Sequence, residues 1–168
     1  GSEAFVENKL FATLDPLTRK LFLENPDYHK TQDFSSGNIV KGKEILLTDT
    51  VGFISNLPHF LVNAFHSTLE EVAYADLLLI VLDSSDPNVL LHYETILQVL
   101  EEINADTNNC IIVLNKIDAY TDSDESDETS QFYLARIEKK IPEHVKVSTK
   151  DGQGLAELKA AIYKKISE

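Results

Sequence analysis

The chain has no methionine and no tryptophan, one cysteine, six glycines and five prolines in 168 residues. With no methionine even at position 1, it is expected to be processed, tagged or cut from something longer. A lone Cys110 excludes an intrachain disulfide. Its place inside an apolar run predicts no disulfide-linked partner and a reducing compartment, with the cytoplasm as the default. No apolar run approaches the ~20 residues that a membrane-spanning helix needs. Leu77 to Leu82 is typical of the longest, and no signal peptide is visible, so no membrane partner is expected.

Positive charge is also scarce. Fifteen Lys and Arg stand against 28 Asp and Glu, giving a net charge of −13. Phosphate backbones are bound by clustered cations, so strong nucleic-acid binding by this segment is not expected. The densest basic stretches, Arg136 to Lys140 and Lys159 to Lys165, read as solvated helix faces. His29, His59, His66, His92 and His144 show no metal-ligand spacing. The acidic run Asp122 to Glu128 lacks the central glycine of a calcium loop.

What is present is an alternation of short apolar runs with amphipathic segments. Leu10 to Arg19 reads as loop, Lys20 to Leu23 as a strand, and Glu24 to Ser36 as an elaborated hairpin with turn signals at Asn25-Pro26-Asp27. A strand over Glu44 to Thr48 feeds Asp49-Thr50-Val51-Gly52, and a helix is expected from about Pro58 to Tyr74. Leu77 to Asp83 has the unbroken apolar character of a parallel strand covered on both faces. Ser84 to Asn88 supplies caps, with Asp83 and Asp86 read as such, before a helix over Val89 to Ile103. Cys110 to Leu114 is a strand, Ala119 to Ser130 a surface loop, and Gln131 to Ile141 a helix. Val145 to Val147 is a short strand, and Gly154 to Ile166 the last helix. The pattern predicts a single α/β domain with a three-layer, mostly parallel sheet.

Asn115-Lys116-Ile117-Asp118 closes the Cys110 strand and carries the most specific chemistry. A carboxylate there can accept from both N1–H and the exocyclic amine of guanine. Adenine offers no such pair of donors on that edge, so Asp118 would be left unsatisfied. The Lys116 stem can lie along the purine face and Asn115 can brace the loop. N-K-x-D arises by chance in only about 2% of chains this long. Asp49-Thr50-Val51-Gly52 has the D-x-x-G form, in which Asp49 can hold Mg²⁺ through a water and Gly52 lets an amide reach a γ-phosphate. By itself that form is common, occurring about once in two such chains. Thr13 could give its hydroxyl to Mg²⁺. Ser148-Thr149-Lys150 can bring backbone N–H groups near the guanine O6, or cap the last helix.

Leu10-Phe11-Ala12-Thr13-Leu14-Asp15-Pro16, Leu46 to Ile54, Leu57-Pro58-His59 and Ala64 to Glu71 together resemble the GTPase domain of the HflX family. The resemblance runs from about Glu3 to the C-terminus and implies a Ras-like G domain of the P-loop NTPase class, from the first switch loop to the final helix. It implies a GTP-hydrolysing factor that binds the large ribosomal subunit and can separate stalled or idle ribosomes. Carried over by position, GTP would meet Phe11, Ala12, Thr13, Leu14 and Asp15, then Asp49, Thr50, Val51 and Gly52. The base would meet Asn115, Lys116, Ile117 and Asp118 with Ser148, Thr149 and Lys150, and Mg²⁺ would be held by Thr13 and Asp49.

The departures from that pattern set further expectations. The phosphate-binding loop G-x-x-x-x-G-K-[ST] is absent from all 168 residues, and in the family it lies just upstream of the position of Glu3. The strand before that loop is central to the sheet, so a chain without both is expected to leave neighbouring strands unpaired and to be inactive alone. Phe53 follows Gly52, where many GTPases place a water-orienting glutamine, so hydrolysis is expected to be slow unless a partner stimulates it. A non-hydrolysing interaction module is the second reading. A third is a receiver-like signalling domain with Asp83 as phosphoacceptor and Lys116 as phosphate partner, which leaves Asp118 unexplained.

Overall fold

A computed structural model of the chain describes residues 17–28, 41–50, 71–121, 128–141 and 143–168. The strands among them are β1 (Leu17–Glu24), β2 (Gly42–Asp49), β3 (Leu78–Asp83), β4 (Cys110–Asn115) and β5 (His144–Lys146). The helices are α1 (Val89–Glu102), α2 (Asp118–Thr121), α3 (Glu128–Lys140) and α4 (Leu155–Lys165). They fall into two compact units, Gly1–Tyr74 and Ala75–Glu168.

In the first unit β1 and β2 pair antiparallel, with Leu17 opposite Asp49 and Glu24 opposite Gly42. The two-residue period puts Leu17, Leu21, Leu23, Ile45 and Leu47 on one face of the ribbon. Leu23 is fully buried there. On the other face the Thr18 and Thr48 hydroxyls lie 2.9 Å apart, and the Lys20 ammonium donates to Glu44 at 2.8 Å. These cross-strand pairs carry β1 back to Leu17, so Leu17 to Arg19 is strand rather than the loop expected from sequence. The Phe22 ring lies over Gly42, where any Cβ would come within 2.6 Å of it. The Asn25 turn forms as expected, its side-chain oxygen accepting from the Asp27 amide at 2.9 Å. Of the helix expected over 58–74, residues 71–73 are helical, Tyr74 is a turn, and 58–70 lie outside the described residues.

In the second unit three parallel strands run in the order β3-β4-β5. Asp83 is opposite Asn115, and Leu114 is opposite Lys146. Parallel neighbours need crossovers, and α1 and α3 supply them. α1 packs on β3 and against α3, while α4 packs on β4 and β5. The core between them is Leu82, Val89, Val113, Leu114, Ile137 and Ile141, all almost fully buried. Among the described residues the strands form two sheets, of two and three strands, rather than one.

Two local expectations change. The stretch from Ala119 to Ser130 is not simply loop, because α2 begins at Asp118 and α3 at Glu128, with 122–127 outside the described residues. An acidic residue in a first helical turn is favoured by the amides exposed there, so a run of Asp and Glu hides helix starts that look like solvated loop. The residues before α1 also act differently from helix caps. Asn88 stands at the N-cap without a side-chain cap bond. Instead Asp86 turns the chain, its carboxylate accepting from the Asn88 amide at 2.8 Å and its carbonyl from Val89 at 3.0 Å.

Candidate nucleotide-binding site

The C-terminal ends of β3, β4 and β5 lie side by side, and that edge of an open parallel sheet is where ligands bind. It carries Asp83-Ser84-Ser85 after β3, Asn115 to Asp118 after β4, and Ser148-Thr149-Lys150 after β5.

Asn115 ties these loops together. Its side-chain oxygen accepts from the Lys116 amide at 2.8 Å and from the Thr149 amide at 3.2 Å, and its Nδ2 donates to the Thr149 hydroxyl at 3.4 Å. The Asn115 carbonyl accepts from the Ser84 amide at 3.0 Å and from the Ser84 hydroxyl at 2.7 Å. Ser84 is completely buried, which explains why a hydroxyl rather than a methyl stands there. Lys116 then takes φ 64°, the left-handed region that is costly for a side-chain-bearing residue. That bend swings the chain into α2, where Ile117 is buried and donates to the Val147 carbonyl at 3.2 Å.

Asp118 is placed at the start of α2 with a side chain only 14% exposed. The Lys150 ammonium, 69% exposed, lies 3.5 Å from its Oδ2. The 148–153 loop that presents Lys150 is closed on itself. The Ser148 amide donates to the Gln153 carbonyl and the Gly152 amide to the Ser148 carbonyl, both at 2.9 Å. Ser148 is fully buried and its hydroxyl accepts from Asp151, so it shapes this loop rather than capping α4. At Gly154, φ is 75° and a Cβ would overlap the Lys146 carbonyl oxygen, so glycine is required for the loop to re-enter α4.

A second brace is not legible in sequence. The Asp83 Oδ2 accepts from the Lys116 ammonium at 2.7 Å. Its Oδ1 accepts from the Ser85 amide at 3.0 Å and the Ser85 hydroxyl at 2.6 Å. Burial pushes the Asp83 carboxyl up, but the hydrogen bonds from Lys116 and Ser85 outweigh it and hold the group below its ordinary value. The hydrogen bond to Asp83, with the nearby carboxylate charges, holds the Lys116 amine above its own ordinary value. The Tyr120 hydroxyl donates to the Ser84 carbonyl, and the Tyr133 hydroxyl to the Asp86 carbonyl at 2.7 Å. Asp83 is therefore a bridge between two loops and not the helix cap expected of it. The strand register sets Asp83 beside Asn115 and so brings it within reach of Lys116.

Of the remaining expected site residues, Asp49 ends β2 with an exposed side chain and Thr50 follows it. A hard carboxylate at a strand end suits Mg²⁺, which takes one or two protein oxygens and completes its shell with water and phosphate. Among the described residues no group of three His, Cys, Asp or Glu could hold a metal ion by itself. Phe11, Ala12, Thr13, Leu14, Asp15, Val51, Gly52 and Phe53 lie outside the described residues.

A parallel α/β sheet whose C-terminal edge carries N-K-x-D in this bend defines a class, the P-loop-type G domain. Residues 1–116 match the family described as 50S ribosome-binding GTPase. A GTPase HflX of Treponema denticola is 44% identical over 162 residues, covering 96% of this chain and 36% of that protein. A GTPase HflX of Chlamydia pneumoniae is 38% identical over 168 residues, covering 100% of this chain and 30% of that protein. The crystal structure of a GTP-binding protein from the hyperthermophilic archaeon Sulfolobus solfataricus in complex with GDP superposes with a TM-score of 0.62. It is 24% identical, covers 98% of this chain and 48% of that one, and supports the fold. The chain belongs to the 50S ribosome-binding GTPase family, among its HflX members. It spans about a third of the length of these two curated relatives.

Proposed function

We propose that this chain is the guanine-reading and phosphate-sensing part of an HflX-type GTPase that uses Mg²⁺, turns over GTP to GDP and works in the cytoplasm on the large ribosomal subunit. Asp118 carries the base half of this reading. Its carboxylate is largely buried at the sheet edge, where it can accept from both donors of guanine but would be left unsatisfied by adenine. Asn115, Lys116, Ile117 and the Ser148 to Lys150 loop hold it there. Asp49, Thr50, Val51 and Gly52, with Phe11 to Asp15, are proposed to meet the phosphates. Asp49 and Thr13 are proposed to hold Mg²⁺, whose chemistry is to neutralise charge on the terminal phosphates. Residues 1–168 are proposed to act as one G domain. Without a G-x-x-x-x-G-K-[ST] loop among them, the chain alone is proposed to bind nucleotide weakly and not to hydrolyse it.

The test is titration of the isotope-labelled chain with GDP and with ADP. Amide shifts at 115–118 and 148–150 that saturate with GDP and not with ADP are expected. Equal responses to the two nucleotides would remove the base reading.

A further inference from the structure

We propose that Asp83 is a positioning residue of the guanine site, clamping the Lys116 ammonium so that the lysine stem is preset along the purine face. The proposal rests on the base reading above and adds a residue outside the N-K-x-D loop.

Lys116 is the least constrained member of that loop by chemistry, with a long flexible stem and a strongly hydrated ammonium. In this structure its direction is set from two sides. The left-handed backbone at φ 64° turns the side chain off the course of β4. The carboxylate of Asp83, 2.7 Å away, then takes the ammonium. Asp83 cannot swing with it, because Ser85 holds its other oxygen through two hydrogen bonds. Nor can the 84–86 loop, which is tied down by Ser84 to the Asn115 carbonyl, by Tyr120 to the Ser84 carbonyl and by Tyr133 to the Asp86 carbonyl.

The pair is exposed, Lys116 by 57% and Asp83 by 38%. Exposed pairs contribute little to folding, so stability is a weak account of so many fixed partners. Orientation is a better one. A lysine held before the base arrives loses less freedom when it binds.

Asp83→Asn keeps an oxygen for Ser85 and removes the charge that holds Lys116. Lys116→Met keeps an apolar stem and removes the ammonium. Each single variant is expected to weaken GDP binding by about tenfold, ~1.4 kcal/mol. The double variant should bind no worse than either one, because the same contact is lost only once. Preference for GDP over ADP should persist in Asp83→Asn, since Asp118 is untouched, and its thermal unfolding should match the parent. In the ligand-free chain, the Lys116 ammonium resonance should move in Asp83→Asn. Additive losses, parental affinity in Asp83→Asn, or an unmoved Lys116 resonance would each overturn the assignment. If the parent itself fails to prefer GDP, the base reading falls and this assignment with it. If the parent prefers GDP and Asp83→Asn binds as well, only this assignment falls.

Discussion

At the scale of single residues, the site is a set of polar groups whose partners are fixed before any ligand enters. Asn115 spends its side chain on two loops, Ser84 is buried for the sake of one carbonyl, and Lys116 accepts a left-handed backbone. The Asp118 carboxylate lies 3.5 Å from the exposed Lys150 ammonium. Asn in its place would present one acceptor and one donor instead of two acceptors. Xanthine carries an oxygen where guanine carries the exocyclic amine, so Asp118→Asn is expected to exchange the preference. Competition of xanthosine diphosphate against GDP measures this, and an unchanged order of affinity would count against Asp118 as the base reader. The N-K-x-D spacing of Asn115, Lys116 and Asp118 is legible in the sequence alone. The Asp83 contact was not, because it joins residues 33 positions apart, and nothing within Asp83-Ser84-Ser85-Asp86 distinguishes an inter-loop bridge from a helix cap.

At the scale of elements, periodicity located β3, β4, α1 and α4 to within about two residues, as expected for strongly patterned segments. It failed where charge masks pattern, at α2 and the start of α3, and where a partner strand extends a ladder, at Leu17 to Arg19. The connection from α2 to the loop after β3 has a measurable consequence. Burial pushes the Tyr120 phenol up to about 12, with the Tyr133 and Asp83 charges adding to it. An unfolded tyrosine ionises near ~10. Between those values the unfolded chain has lost that proton and the folded one has not, so stability falls as pH rises through the interval. Tyr120→Phe should lose about 0.5–1.5 kcal/mol at neutral pH with its hydrogen bond. Above pH ~10 its stability should fall less steeply than the parent's. Urea unfolding at a series of alkaline pH values checks this, and parallel profiles would contradict it.

At the scale of the whole molecule, D-x-x-G falls in one compact unit and N-K-x-D in the other. Phe53, directly after Gly52, cannot hydrogen-bond a water, and we propose that turnover is stimulated by a partner. In a protein of this sequence that also carries a phosphate loop, single-turnover GTP hydrolysis should accelerate when large ribosomal subunits are added. Equal rates with and without them would refute the dependence. The sequence by itself determined the class of fold, the family and the place of the N-K-x-D motif, because these follow from side-chain identity and from spacing along the chain. Only the tertiary structure decided how that motif is held. Parallel pairing of β3 with β4 sets Asp83 beside Asn115, and a carboxylate so placed can meet the Lys116 ammonium across 33 residues of chain. Local sequence encodes propensity and chemistry, whereas the partners of a fixed polar group are set by strand register and by the loops that the packed helices bring to one edge.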